Sequence, residues 1–291
     1  HNLGVLIKNA VAVCDVDQTR LQAAKEKVEK ANNRPCAAFS DYRKLLEDKA
    51  IDAVVISTPD HWHTLPSIHA CEAGKDIYCE KPLTLFIAEG QRLIKAVRHH
   101  KRILQTGSQQ RSDAKFLKAC EYIRSGRLGK IHTVKVGIPS VNYLDRAKPP
   151  SVPDSAPPPE LNYHTWLGPA PTRPYNKNRV HYLFRFFWDY SGGQMTNWGA
   201  HHLDIIQWAL GTDQSGPVEI QGTAVYNAQK LYETPQSFDV SFKYANGTVV
   251  HCSSGTGKFK GAGTCPIVTP GGFSLLRTGA TTLPPKSSPR G

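Results

Sequence analysis

No aspartate or glutamate occurs from Val240 to Gly291, although Lys243, Lys258, Lys260, Arg277, Lys286 and Arg290 all fall there. Six of the +12 formal charges on the 291 residues therefore come from one acid-free tail. The remainder holds no dense basic helix and no basic strand interleaved with aromatics, so no nucleic-acid partner is expected. Also missing is any run of about 18 apolar residues, so no membrane-spanning helix is expected. No Cys-x-x-Cys pair occurs among the seven cysteines, Cys14, Cys36, Cys71, Cys79, Cys120, Cys252 and Cys265. Their odd number and scatter suit neither a disulfide framework nor a thiolate zinc site. Cys14 and Cys79 lie in apolar runs, where buried free thiols are usual, and a reducing compartment, the cytoplasm, is expected. The first residues, His1-Asn2-Leu3-Gly4, show neither an initiator Met nor a charged-then-apolar export pattern, and a removed leader stays open.

What is present suffices for two domains, at roughly 100–200 residues each, with 40% hydrophobic residues. From residue 11 to about 107, short apolar runs alternate with amphipathic stretches. Val11-Ala12-Val13-Cys14 reads as a buried strand. Asp17 caps a helix with Leu21, Ala24 and Val28 on one face. Ser40 caps the next, with Tyr42, Leu45 and Leu46 inward. A second strand covers 52–57, and a helix over 63–73 follows that Gly74 stops. The third strand is 76–79, Thr84 caps a helix through Val97, and the fourth strand is 103–106. Such alternation predicts an α/β domain over 1–124, built on a doubly wound parallel sheet.

After a helix at 114–124 the pattern changes. Residues 131–137 alternate as a strand wet on one face would. A proline-rich excursion spans 149–174, where Trp166 and Leu167 demand burial. A helix over 198–210 ends at Gly211, and strands are expected at 218–226, 237–244 and 248–253, with Asn246-Gly247 as a hairpin turn. The second domain, 125–254, is thus expected to be α+β with an open, mostly antiparallel sheet. The tail, 255–291, is rich in Gly, Pro, Thr and Ser and suits no packed core. It is expected to be disordered or read in a shifted frame. Read two nucleotides later, codons for Gly271-Gly272-Phe273-Ser274 can give Trp-Ile-Phe, and those for Pro284-Pro285-Lys286-Ser287-Ser288 can give Pro-Glu-Ile-Leu.

A doubly wound sheet binds ligands at the carboxyl ends of its strands, and polar residues gather there. Asp15 ends the first strand, where a carboxylate can accept from ribose hydroxyls and would repel a 2′-phosphate; a capping or loop role is the alternative. Ser57-Thr58-Pro59-Asp60 leaves the second strand, with His61 and His63 beyond it. Either ring can simply pack, and no third ligand at a suggestive spacing supports zinc, so no metal is expected. Glu80-Lys81-Pro82 leaves the third strand. Pro82 biases Lys81 towards an extended backbone. Lys81 could then exchange a proton with a ligand, or lie in solvent paired with Glu80.

Several strings together resemble the Gfo/Idh/MocA oxidoreductases over residues 11–211. They are Thr58-Pro59-Asp60-His61-Trp62-His63, Ala73-Gly74-Lys75-Asp76, Glu80-Lys81-Pro82-Leu83 and Gln109-Gln110-Arg111. Trp188-Asp189-Tyr190-Ser191-Gly192-Gly193 and Asn197-Trp198-Gly199-Ala200-His201-His202-Leu203-Asp204 complete the set. The resemblance implies a Rossmann domain followed by an α+β domain, and NAD(P)-dependent redox chemistry at a secondary alcohol of a sugar, cyclitol or related carbohydrate. It implies cofactor contacts at Asp15, Thr58, Pro59, Asp60, His63, Glu80, Lys81 and Gln109, with NAD favoured over NADP. It implies substrate contacts at Lys81, Arg111, Trp166, Arg185, Asn197, His201 and His202.

Lys81 and His201 are the implied catalytic pair. His201 begins a helix, which favours a neutral ring able to accept the hydroxyl proton, while Lys81 stabilises alkoxide charge. His202 is the alternative base, and Asp204 could orient an imidazole or cap backbone. Trp166, Tyr182, Arg185, Trp188 and Tyr190 could line a sugar site or pack in the core. A homo-oligomer through the open sheet is also implied. Two departures stand out: Asn197 occupies a position often Asp in the family, and no Gly-x-Gly-x-x-Gly occurs. Without that loop the chain as written is expected to bind a dinucleotide poorly. An NAD-dependent glycosidase and a non-catalytic binding or scaffold protein remain the rival functions.

Overall fold

The computed structural model describes residues 2–139, 152–228 and 231–254, and the backbone of 264–265, 267–268, 274–276 and 281–282. The chain divides into two compact units: His1–Gly107 with Val152–Ser191, and Ser108–Ser151 with Gly192–Gly291. The first division thus falls at Gly107, where the sequence pattern suggests 124, and the described part of the proline-rich excursion belongs to the first unit.

In the first unit, α1 (Asn2–Leu6) runs through a 3-10 turn (Ile7–Asn9) into β1 (Ala12–Cys14). Then come α2 (Gln18–Asn32), β2 (Ala37–Phe39), α3 (Tyr42–Glu47), β3 (Ala53–Ile56), α4 (Thr64–Glu72), β4 (Asp76–Cys79), α5 (Ile87–His99) and β5 (Leu104–Thr106). Asp17 caps α2 as expected, its Oδ1 accepting the Arg20 amide at 3.1 Å. Two expected caps move. Asp41, not Ser40, caps α3 by accepting the Arg43 amide at 2.9 Å. At the start of α5 the carboxylate of Glu89 accepts the amides of Leu85 and Phe86, both at 3.0 Å, where Thr84 was the expected cap.

Among the described residues, the paired strands β1–β2, β3–β4 and β4–β5 are all parallel, as the α/β alternation requires. The strands form two sheets, β1–β2 and β3–β4–β5, instead of the single expected one. The three-residue β2 was not foreseen. Leu46, Ile56, Ala70, Cys71, Ile77 and Cys79 form the core between the larger sheet and its helices. Val13, Leu21, Val28 and Cys36 do the same under α2.

Residues Val152–Ser191 carry α7 (Tyr163–Leu167) and a 3-10 turn (His181–Phe186). The stretch is tied to the β1–α2 turn by backbone bonds, Gln18 N–H to Glu160 O (2.9 Å) and Asn162 N–H to Val16 O (3.0 Å). Trp166 and Leu167 are buried, as their apolar bulk demands.

The second unit has a 3-10 turn (Gln109–Ser112), α6 (Ala114–Arg124), β6 (Thr133–Ile138), α8 (Gly193–Asn197) and α9 (Gly199–Leu210). Gly211 ends α9 in the left-handed conformation, φ 67°. Strands β7 (Glu219–Val225), β8 (Ser237–Lys243) and β9 (Val249–Ser254) follow, then the short β10 (Thr264–Cys265), β11 (Ile267–Val268), β12 (Ser274–Leu276) and β13 (Thr281–Thr282). Its main sheet has the order β11–β6–β9–β8–β7. The β6–β9 pair is parallel and the others antiparallel, so the sheet is mixed. Buried side chains of α6, β6, α9, β8 and β9 form one core. β7 is exposed along its whole length. Apart from β10–β13, the tail lies outside the described residues. Among the described residues no helix is long and apolar enough to cross a membrane.

Gly168 tests how tightly the first unit is packed. It has φ +49°, and a Cβ there would sit 2.0 Å from Cζ2 of Trp62. Gly168→Ala should cost about 3 kcal/mol, from overpacking and backbone strain together. Gly74→Ala should cost only about 1 kcal/mol, since φ is +76° there but nothing lies within 4 Å. Denaturant melts check the contrast; equal losses in the two variants would contradict it.

Candidate active site

The carboxyl ends of β1, β3 and β4 carry the polar residues singled out in the sequence. Asp15 follows β1, half-buried, with Oδ1 accepting the Asp17 amide at 3.0 Å. Burial raises its carboxyl above the ordinary range, against the pull of that amide. A carboxylate so placed suits a ribose diol, which the donor chemistry of a dinucleotide would present. His181, which the sequence pattern did not single out, has a left-handed backbone (φ 52°), with Nε2 3.9 Å from Asp17 Oδ2. Burial lowers its imidazole's affinity for a proton.

Beyond β3 the chain makes a 3-10 turn, Asp60–Trp62, whose side chains face inward. Asp60 is buried and accepts the Ser191 hydroxyl at 2.5 Å. Burial pushes its carboxyl up, and among the groups that oppose this His63 comes first, followed by Ser191, Arg185 and Lys81. His61 Nε2 and Trp62 Nε1 share the carbonyl of Trp166, at 3.0 and 2.9 Å. His63 is 1% exposed, with Nδ1 2.6 Å from Pro82 O and Nε2 3.0 Å from Thr58 O. Both ring nitrogens and the Asp60 side chain are thus engaged inside the protein. Thr58 itself is exposed and Pro59 partly so. No group of three or more His, Cys, Asp or Glu among the described residues could hold a metal ion.

Glu80-Lys81-Pro82 leaves β4 with all three residues partly exposed, which is what a group meeting a ligand needs. Glu80 is held by Asn2, whose Nδ2 donates to Glu80 Oε1 at 2.7 Å and to Ser57 Oγ at 2.9 Å. Gly107 closes the other side. A Cβ there would lie 2.9 Å from Glu80 Oε2 and 3.1 Å from its Cα. Neither Asn2 nor Gly107 carried a sequence signal of this role, since each acts through a contact distant in the chain.

Several implied substrate residues are committed elsewhere. Trp166 is buried, its ring stacked on Tyr163 (5.9 Å) and edge-on to Tyr190 (4.9 Å), so it packs in the core. Tyr190 is wholly buried too. Tyr182 and Trp188 remain 46% and 47% exposed. Arg185 lies 4.6 Å over the Tyr182 ring and donates to the Tyr182 carbonyl at 3.1 Å.

In the second unit Gln109 is exposed. Arg111 forms a forked pair with Asp204 (2.9 and 3.1 Å to Oδ1, 2.9 Å to Oδ2) and meets Asp213 at 2.7 Å. Those carboxylates, Asp204 first, strengthen its positive charge. The guanidinium also lies 5.6 Å over Trp208. Arg111 therefore clamps α9, and Asp204 neither orients an imidazole nor caps backbone. Asn197 is buried and donates to Gln194 Oε1 at 3.1 Å. His201 and His202 are both buried in the first turn of α9, with His202 edge-on to Trp198 at 5.9 Å.

Comparison with known proteins covers both units. Residues 4–108 match the Gfo/Idh/MocA description "Oxidoreductase family, NAD-binding Rossmann fold", and 122–263 match "Oxidoreductase family, C-terminal alpha/beta domain". Myo-inositol 2-dehydrogenase of Thermotoga maritima is 35% identical over 141 residues, 48% of this chain and 39% of that protein. Inositol 2-dehydrogenase 2 of Saccharopolyspora erythraea is 31% identical over 206 residues, 69% of this chain and 46% of that protein. The chain thus spans less than half the length of these relatives. The fold is shared with the WlbA dehydrogenase of Chromobacterium violaceum, solved with NADH and UDP-GlcNAcA. The TM-score is 0.72 at 21% identity, over 99% of this chain and 74% of that one.

The His61 ring gives a pH test that needs no ligand. Burial drives it from 6.5 down to about 4. In this window the unfolded chain binds a proton that the folded one refuses, so stability falls as pH drops from 6.5 to about 4. The loss should reach about 3 kcal/mol at most. His61→Phe should flatten that part of the acid dependence in urea melts. An unchanged slope would contradict the assignment.

Proposed function

Because the chain belongs to the Gfo/Idh/MocA oxidoreductase family, we propose that it transfers a hydride between NAD(H) and a secondary alcohol carbon of a sugar or cyclitol. The observation that carries this reading is the partly exposed Glu80-Lys81 step at the end of β4, in a parallel α/β unit whose β1 ends in Asp15. The dinucleotide, when bound, supplies the hydride acceptor or donor.

The protein's own groups do the rest. Asp15 holds ribose hydroxyls and disfavours a 2′-phosphate, so NAD is preferred to NADP. The backbone around Thr58 and Pro59, the Glu80 turn and Gln109 add the remaining cofactor contacts. The Lys81 ammonium donates to the substrate oxygen and stabilises negative charge on it. His201 takes the hydroxyl proton in the oxidative direction, with His202 as the alternative base. Asn197 can hydrogen-bond a substrate hydroxyl but holds no charge to relay a proton. Tyr182, Arg185 and Trp188 offer exposed faces and a cation to a carbohydrate.

The names of the relatives guide the choice of substrates, which are inositols and nucleotide-linked sugars. The exposed β7 edge suits pairing of two copies into a homo-oligomer. Six described cysteines are free thiols, which suits the cytoplasm.

Titration of the complete gene product with NADH, followed by turnover on a panel of these polyols, tests the reading. Lys81→Met should lower kcat by about 10²–10⁴ while NADH affinity stays within a few-fold. Absence of NADH binding, or full activity in Lys81→Met, would overturn it.

A further inference from the structure

The imidazole of His63 is among the largest fully buried side chains, and its surroundings specify its protons. Nδ1 faces the carbonyl of Pro82 at 2.6 Å, and Nε2 faces the carbonyl of Thr58 at 3.0 Å. A backbone carbonyl can only accept. A neutral imidazole has one N–H and one bare lone pair, so either tautomer satisfies one carbonyl and turns a lone pair on the other. At 2.6 or 3.0 Å that arrangement is repulsive, and it leaves a buried polar atom unpaired. Only the ring protonated on both nitrogens donates on both sides.

The charges around the ring have to tolerate a cation. Asp60 lies in the same turn, buried, and His63 is the strongest favourable influence on its carboxyl. A buried cation and a buried carboxylate compensate each other, where either alone would be costly. The other titratable neighbours are His61 on the same turn, Cys79 on β4, Lys81, and Arg185 on the His181–Phe186 turn. Burial keeps the His61 ring and the Cys79 thiol neutral at ordinary pH. Lys81 and Arg185 act on the same Asp60 carboxyl, and the start of α4 just after His63 opposes a further positive charge. Asp60 and the two carbonyls are what offset it.

We propose that His63 is a doubly protonated clamp whose two N–H groups fasten the Thr58 turn to the Lys81–Pro82 turn, making it a positioning residue for Lys81. The two turns leave neighbouring parallel strands, β3 and β4, and the ring is a rigid bridge between them. A ring pulling on the carbonyl next after Lys81 limits how far that backbone can swing. The functional meaning of the clamp rests on the role proposed above for Lys81; the ring's protons do not.

Nitrogen-15 NMR of histidine-labelled protein at neutral pH reads the ring directly. The His63 ring is identified by its proximity to Thr58 and Pro82. Two protected N–H protons on this ring are expected, whereas one protonated and one bare nitrogen would overturn the proposal. Hydrogen exchange of His63→Gln supplies the second arm. Amides at 80–83 should exchange at least about tenfold faster, with those of β2 and α2 unchanged. Unchanged exchange at 80–83 would also overturn it. Should the variant fail to fold, the ring protons of the parent protein decide. Neither arm needs activity, so failure here is distinguishable from failure of the dehydrogenase reading.

Discussion

Two backbone carbonyls converge on one buried ring, and the arrangement of the first unit's polar residues follows from that meeting. His63 has no solvent to turn to, so Thr58 and Pro82 must be where they are for its nitrogens to be satisfied. Asp60 is drawn into the same buried turn and is itself satisfied by Ser191, from the far end of the 152–191 stretch. His61 and Trp62 meet the Trp166 carbonyl from that stretch as well. A six-residue string thus staples a long excursion onto the strand ends, and it leaves Lys81 partly exposed beside a fixed framework.

This arrangement separates residues that build from residues that act. Resemblance to a family brings forward whole strings without saying which side chain in each meets a ligand. Burial and hydrogen-bond partners show which side chains are engaged inside the protein. Asp60, His61, His63, Trp166 and Tyr190 are occupied with one another, and Arg111 with Asp204 and Asp213. Asp15, Thr58, Glu80 and Lys81 keep exposure at strand ends, where ligands of parallel sheets bind. The histidine of the opening string is therefore held by backbone carbonyls inside the first unit, and the acid–base role is proposed for Lys81 and the histidines of α9.

Much of the fold was legible because it rests on local patterns. The apolar runs at 12–14, 53–56, 76–79 and 104–106 are short and bounded by turn residues, and the helices between them carry one apolar face. The cap of α3 shifted by one residue because Ser40 and Asp41 are both able caps, and it is the Asp41 side chain that accepts the Arg43 amide. Ala37-Ala38-Phe39 was hidden because three small or single aromatic residues give no periodicity. The parallel β6–β9 pair and the discontinuous first unit depend on contacts far apart in sequence, which no window of residues reveals. The same holds for the site. Strand-end positions of Asp15 and Lys81 could be read from order alone, whereas the hold of Asn2 on Glu80 spans 78 residues.

The chemistry proposed for this framework is hydride transfer at a carbinol carbon. An alcohol substrate carrying deuterium at that carbon tests it most directly. A slowed reaction and transfer of the deuterium to the nicotinamide of the reduced cofactor are expected. Loss of the deuterium to solvent, with none in the cofactor, would contradict it.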